Sequence, residues 1–223
     1  MSELAGLPIS RAILNVPAAG SWRLHAVLAS GDPLTERTKV TATIQGFELR
    51  GGTVVQSGFN APGTPSATVV GGAGWDRELT MPIAFRSDAG VRLSTVLREL
   101  ATRAGEPIEQ PRDATLGIHF VFPASRAGQP VRLRDILASL FRLGTVAPWR
   151  VDPDGVTRFG PRPPVAVSSR ALRLWRDAAT GQGLFGIDRP GDFLPGALLE
   201  DKPIVRLVVR DEPRQLTAEV WQP

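Results

Sequence analysis

Residues 12–26 read AILNVPAAGSWRLHA, and the alternation in this stretch decides the fold class. Apolar side chains occupy every second position in 12–16, and they do so again in 22–26, where Arg and His fill the positions between. A period of two is typical of a strand that buries one face. The Pro-Ala-Ala-Gly segment at 17–20 separates the two runs as a turn does. We therefore predict two strands here, each with one buried face.

The same period continues outward through about the first 85 residues. In 40–45 Val, Ala and Ile alternate with Thr and Gln, and the pattern resumes after Gly46, which we predict to be a bulge. Gly-Gly at 51–52 is a hairpin-turn signal. A polar loop rich in Pro and Gly is expected over Ser57–Ser66, and a short strand over 67–70. Short strands with tight turns favour an antiparallel sheet that closes into a barrel or a sandwich.

Two amphipathic helices are predicted in the middle of the chain. The motif V-R-L-x-x-[VI]-L-x-x-L occurs at 91–100 and again at 131–140, with apolar residues at helical spacing. Gly105 is a plausible end of the first helix. Asp-Pro-Asp-Gly at 152–155 lies between two alternating runs and predicts a hairpin. Two copies are too few for a solenoid, so we expect two small helix-plus-strand units.

The predicted class is α+β, mainly β, with antiparallel barrel strands and two helix-and-hairpin units. Gly160-Pro161-Arg162-Pro163-Pro164 has the composition of a stiff linker. Strands are expected again at 172–175, 204–209 and 216–221. The predicted domains are a barrel-like domain at 1–88, the two small units at 89–164, and a β-rich segment at 165–223 as a candidate to complete a barrel.

Composition excludes several classes of protein. The 223 residues are 42% hydrophobic and 22% charged, which is ordinary for a globular chain. No apolar run approaches the roughly 18 residues of a membrane span, and the first ten residues do not resemble a secretory signal. The absence of Cys excludes disulfides and thiolate sites. The net charge of +4 comes from scattered arginines, with only Lys39 and Lys202 as lysines, so we predict no sequence-specific nucleic-acid binding.

The glycine run Gly71-Gly72-Ala73-Gly74 is the first candidate for a binding loop. A phosphate-binding loop needs Gly-Lys-Ser/Thr at its end, and a dinucleotide fingerprint needs a third Gly at the position of Arg77. We therefore expect a tight turn where two backbones approach closely.

No catalytic or metal-binding set emerges from the titratable residues, and we predict no catalytic, cofactor or metal site. His25 and His119 are the two histidines and lack the spacing of a zinc site. The carboxylates considered for glycoside hydrolysis read instead as helix surface, strand or turn residues: Glu99, Glu106, Glu109, Asp76, Glu78, Asp152 and Asp154. The five tryptophans favour core packing or a subunit interface: Trp22, Trp75, Trp149, Trp175 and Trp221.

The order of these elements resembles the baseplate or tail hub proteins of tailed phages and related contractile injection systems, the Mu-like hub and late control protein D group. The segments that carry the resemblance are VGGAGW (70–75), VRLSTVLRELA (91–101), WRVDPDGV (149–156), LPGALL (194–199) and LTAEVW (216–221).

The resemblance implies a virion structural protein with barrel domains of the tail-tube or hub type. Such hubs form a ring, commonly a trimer, at the end of the tail tube and carry the central spike. The implied partners are further copies of this chain, the tail tube protein, the spike protein and other baseplate proteins. The implied location is the baseplate of the virion tail, assembled in the host cytoplasm. At 223 residues the chain is short for that group, so a smaller tail-tip component is an equal reading.

Two segments are expected to reach neighbouring subunits, Ser57–Ser66 and Gly181–Pro195, because rings need strand edges or loops that meet between copies. The alternatives are a ring-forming secretion-machine or binding module and, less favoured, a cell-wall hydrolase with a site assembled from scattered residues.

Overall fold

The computed structural model describes residues 1–61, 63–126, 128–213 and 215–223, and divides them into two compact units. Unit 1 comprises Met1–Gly71 and Pro161–Pro223, and unit 2 comprises Gly72–Gly160. The helices are α1 (Leu93–Ala104) and α2 (Leu133–Arg142), with 3-10 turns at Ala73–Asp76 and Pro190–Phe193. The strands are β1 (Glu3–Leu4), β2 (Leu7–Pro17), β3 (Arg23–Leu28), β4 (Lys39–Ile44), β5 (Phe47–Ala61), β6 (Thr64–Gly71), β7 (Ile83–Arg86), β8 (His119–Phe122), β9 (Ser125–Arg126), β10 (Gln129–Pro130), β11 (Trp149–Val151), β12 (Thr157–Phe159), β13 (Ala171–Asp177), β14 (Gln182–Ile187), β15 (Leu198–Leu199), β16 (Lys202–Pro203), β17 (Arg206–Glu212) and β18 (Gln215–Trp221).

Strands β1 to β6 form a closed antiparallel barrel in unit 1. Their order is β1-β4-β5-β6-β3-β2, and β1 pairs again with β2 to close the ring. Leu4 of β1 lies opposite Ala42 of β4 and Leu7 of β2. The predicted alternation gives a buried face on each strand, which includes Leu4, Ala12, Leu14, Val16, Leu24, Ala26, Ala42, Ile44, Leu49, Val54 and Val69. The mainly β class with an antiparallel barrel is confirmed.

The C-terminal strands extend this sheet. β17 pairs with the second half of β2, where Val209 lies opposite Leu14, and the order continues β17-β18-β14-β13. β1 and β17 can both pair with β2, because β1 pairs only with its first residues, Leu7 and Pro8, and β17 pairs with residues 12–17. The sheet is thus closed at one end and open at the other, where β13 is the last strand. The sequence-based domain limits at 88 and 164 stay a prediction.

The roles predicted for the glycines of β4 and β5 are wrong. Gln45 and Gly46, both at positive φ, form the hairpin turn between these strands, so Gly46 is not a bulge. The ladder shift lies instead between Val40 and Ala42, opposite the segment that contains Gly51 at φ 65°. Gly52 lies within β5 and is not a turn residue. A side chain does not fit there, because a Cβ would lie 2.5 Å from Val69 and 2.6 Å from the Trp22 ring.

The two segments expected as loops are largely strand. β5 runs to Ala61 and β6 begins at Thr64, so 57–66 is the end of a long hairpin; Pro62 lies outside the described residues. In 181–195, β14 is hydrogen-bonded between β13 and β18, and a 3-10 turn follows. A strand with a partner on each side has no free edge, so residues 182–187 cannot reach a neighbour as predicted.

In unit 2 the two helices and the hairpin are confirmed. α1 ends at Gly105, whose φ of 67° lies in the left-handed region that glycine adopts readily. The Ser94 N–H in the first turn donates to the Asp113 carboxylate at 3.0 Å. α2 follows the same motif, and β11 and β12 flank the turn at 152–155. Among the described residues, the strands of this unit are two to four residues long.

Candidate assembly surface

The open end of the sheet in unit 1 is unusually apolar for an exposed edge. Within the described residues β13 pairs only with β14, so its other edge has no strand partner. Leu172 is 69% exposed, Leu174 46% and Trp175 49%. An unpaired edge of seven residues with three large apolar side chains is a template for another strand. Of the five tryptophans, Trp175 is the one at this edge, whereas Trp22 and Trp75 are buried core residues.

The arginines of β13 are held within the same chain. Arg173 and Arg176 both donate to the Glu200 carboxylate, next to the β15–β16 hairpin. The ladder to β14 shifts between Arg173 and Trp175. A shift of this kind lets neighbouring residues share a face of the strand. The charged groups are therefore tied to Glu200, and the apolar side chains of the strand stay exposed.

A groove of about 440 Å³ borders this edge. Its walls come from β13, β14 and the β15 region and mix apolar with polar side chains: Val167, Ala171, Phe185, Leu198 and Leu199, with Ser169, Arg173 and Glu200. The Ser169 hydroxyl beside it is buried and has no hydrogen-bond partner in the described part of the chain. A buried polar atom without a partner costs free energy.

A second unpaired edge lies on the β5–β6 hairpin of the barrel. β4 pairs with β5 as far as Thr53, and the N–H and carbonyl of Val54 bond to Thr38 and Arg37. Beyond Val54 no described strand pairs with the outer edge of β5. Val55 and Phe59 are 42% and 58% exposed there. The Glu36 carboxylate accepts a hydrogen bond from the Ser57 N–H at 3.2 Å and so occupies one donor of this edge.

The glycine run at the start of unit 2 is a packing device, as predicted. A Cβ on Gly74 would lie 1.9 Å from the carbonyl oxygen of Ala104. Its N–H donates to Glu106 Oε1 at 2.9 Å, and Trp75 Nε1 donates to Thr157 Oγ1 at 2.8 Å. The run therefore lets the 3-10 turn pack against the end of α1. Its described residues contribute to the packing of unit 2.

The carboxylates of unit 2 that the sequence analysis considered for catalysis are bound to arginines or backbone N–H groups. Arg158 donates to Asp154 at 2.7 Å, to Glu109 at 2.7 Å and to Asp152 at 3.0 Å. The hydrogen bond that Arg158 donates to Asp154 holds the pKa of Asp154 below its usual value. The three carboxylates together raise the pKa of Arg158. Asp152 also binds the buried guanidinium of Arg150 at 3.0 Å. The cluster ties the β11–β12 hairpin to the segment after α1.

Two of the sequence-based placements of carboxylates are wrong. Glu106 was expected on the surface but is 5% exposed, because it bonds to the N–H of Gly74. Asp76 was expected on a strand face with Glu78 but ends the 3-10 turn and pairs with Arg134 at 2.6 Å. No local pattern in the sequence places such residues in contact, because Gly74 and Glu106 are 32 positions apart and Asp76 and Arg134 are still farther apart.

The two histidines lie in different units. His25 Nδ1 lies 3.3 Å from the Thr68 hydroxyl in unit 1, and His119 is exposed in unit 2. Across the described ranges, no group of three or more His, Asp or Glu side chains is placed to hold a metal ion. In the same part of the chain, neither helix has the length and apolarity to cross a membrane.

Comparison with known proteins gives matches in structure alone. No family model matches the sequence, and no curated protein matches it. A prophage MuSo2 tail protein of 43 kDa from Shewanella oneidensis matches with a TM-score of 0.62 at 10% identity, covering 99% of this chain and 96% of that one. A tail protein from Neisseria meningitidis matches with a TM-score of 0.63 at 10% identity, covering 100% and 96%.

A third match is a component of the E. coli type VI secretion system, described as structurally similar to two bacteriophage T4 tail proteins. Its TM-score is 0.65 at 8% identity, over 100% of this chain and 77% of that one. At such identities the likeness concerns the fold. The resemblance to tail proteins that the sequence suggested is thus confirmed in structure: the chain has the fold of phage tail proteins and of a type VI secretion component.

Proposed function

We propose that this protein is a structural component of a phage tail baseplate, as the hub or tail-tip protein that joins the tail tube to the central spike. Its partners are further copies of itself in a ring, the tube protein, the spike protein and other baseplate proteins. It acts in the virion tail after assembly in the host cytoplasm. No catalytic step and no cofactor is part of this role.

The observation that carries the proposal is the full-length match to two phage tail proteins, each covered to 96%. An assembly role agrees with the apolar unpaired edges on unit 1, because monomeric proteins usually cover or charge such edges. It also agrees with unit 2, where the carboxylates considered for catalysis are bound to Arg158, Arg150 and backbone groups.

Quantitative mass spectrometry of sedimented tail particles tests the role. We expect the chain in washed particles at about three or six copies per tail, the numbers that closed rings of this symmetry give, and three copies would favour the central hub. Presence in the lysate but absence from washed particles would contradict the proposal and favour an assembly chaperone or a soluble binding module.

The second candidate is a ring-forming module of a secretion machine. The match to the E. coli type VI secretion component favours it, since that comparison has the same full coverage of this chain. Deletion of the gene separates the two: a phage tail role predicts loss of infectious particles, and a secretion role predicts loss of effector export with particles unaffected.

A further inference from the structure

We propose that copies of this chain join edge to edge, with β13 of one copy pairing with residues 55–61 of β5 in the next. The inference rests on the proposed function for its biological setting. The interface itself is argued from the two unpaired edges of unit 1.

The two edges match in length and in exposed apolar surface. Both β13 and the segment 55–61 contain seven residues. Leu172, Leu174 and Trp175 on one edge, and Val55 and Phe59 on the other, are each more than 40% exposed. Pairing would satisfy the free backbone groups of both strands and place apolar side chains opposite each other, which stabilises a sheet.

Charge favours this pair over the symmetric alternative. Segment 55–61 reads VQSGFNA and contains no charged side chain. In a β13–β13 pair, Arg173 and Arg176 of both copies would line one seam and add positive charge to positive charge, whereas segment 55–61 adds none. The neutral hairpin avoids this repulsion and leaves Glu200 as the partner of both arginines.

The groove beside β13 is partly formed by the edge strand itself. Ala171 and Arg173 of β13 line it, so a copy docked at this edge would border the groove.

Pairing two different edges is a heterologous contact, which generates a closed ring or an open filament. Each copy would give one edge and receive one, so the number of copies is set by the rotation between neighbours. The carboxylate of Glu36 on the Ser57 N–H would have to move aside for the strand to pair fully.

The chain contains no Cys, so engineered thiols report the contact directly. We would make four single variants, Val55→Cys, Phe59→Cys, Leu172→Cys and Leu174→Cys, mix them in pairs at high concentration, and add a short bis-maleimide cross-linker. We expect covalent dimers when a β5 variant is mixed with a β13 variant, and several-fold less from either variant alone. Val205→Cys in unit 1 is the matched control, because its exposure of 41% is close to the 42% of Val55.

A chain that carries both Val55→Cys and Leu172→Cys should give a ladder of covalent oligomers that stops at the ring size. Leu174→Lys, a charge on the edge, should abolish the ladder while circular dichroism stays unchanged. Cross-linking at the level of the Val205→Cys control in every mixture would overturn the inference, as would dimers from Leu172→Cys or Leu174→Cys alone, which report β13–β13 pairing.

The outcome is distinguishable from that of the proposed function. Chains found in tail particles without β5–β13 cross-links would leave the tail role standing and remove this interface. Cross-links in purified protein with no chain in tail particles would keep the interface and remove the tail role.

Discussion

Unit 1 and unit 2 are stabilised in different ways. The barrel of unit 1 is a closed ladder of backbone hydrogen bonds with a core made from alternate residues of six strands. Unit 2 has strands of only two to four described residues, and its core comes mainly from the buried faces of α1 and α2. Specific contacts add to this core: the close approach of Gly74 to Ala104, the bond from Trp75 to Thr157, and Arg158 with three carboxylates. A long ladder shares its free energy over many equivalent bonds, whereas a small unit depends on a few specific ones.

The largest effect is expected from Trp22→Ala in the barrel. The Trp22 side chain is 1% exposed and packs against Gly52 and Gly71, so its loss leaves a cavity and should lower the free energy of unfolding by about 3–5 kcal/mol. Hydrogen exchange measured by mass spectrometry should show lost protection in β2, β3 and β6. Trp175→Ala, at an exposed position, is the matched control and should change stability by less than about 0.5 kcal/mol. Equal loss of hydrogen-exchange protection in both units would contradict the view that unit 1 and unit 2 are stabilised separately.

The next effect is expected from Gly74→Ala in unit 2. The added Cβ would lie 1.9 Å from the carbonyl oxygen of Ala104, so backbone must shift, at a cost of about 3 kcal/mol. Denaturant unfolding should show the loss, and hydrogen exchange should place it in α1. Gly58→Ala serves as the control, because a Cβ added at Gly58 would meet no non-neighbouring atom within 4 Å. If the free energy of unfolding of Gly74→Ala equals that of Gly58→Ala, unit 2 does not depend on the close contact at Gly74.

A smaller effect is expected from Thr157→Val. Thr157 is fully buried, and the change keeps its shape but leaves Trp75 Nε1 without its acceptor. An unpaired buried donor costs about 2 kcal/mol, which urea unfolding would detect. Thr53→Val on the half-buried face of β5 is the comparison in unit 1. A loss for Thr157→Val no larger than for Thr53→Val would contradict the dependence of unit 2 on single bonds.

The smallest effect is expected from acid on Asp154. Its folded-state pKa is lowered chiefly by the hydrogen bond from Arg158, so its contribution is fully present above the unfolded value of about 3.9 and is lost as pH falls through the folded pKa. Asp154→Asn should therefore lower stability at pH 7 by less than about 1 kcal/mol, because the pair is exposed. The difference between Asp154→Asn and the parent chain should shrink as the pH falls below about 3.9 and vanish below the folded-state pKa of Asp154. A difference that persists there would rule out the ion pair as its source.

Much of the fold could be predicted because it depends on local periodicity. The period of two at 12–16 and 22–26 became β2 and β3, and the repeated helix motif became α1 and α2. The errors concern glycines and loops. Gly46 and Gly51 are equally permissive residues, and which of them turns the chain depends on the ladder between β4 and β5. Of the two edges in the candidate assembly surface, the sequence analysis named only the segment 57–66, which it predicted to be a loop, and it did not name the edge of β13.

The sequence by itself determined which residues face a core, where the two helices lie and where α1 ends, because side-chain periodicity and the cap at Gly105 act within a few residues. Only the tertiary structure decided which strands have two neighbours and which have one. Leu172 and Trp175 read as an ordinary strand in the sequence, and they are exposed because β13 is the last strand in the order. Strand order depends on contacts between residues far apart in the chain, such as Val209 with Leu14, and no local pattern specifies them.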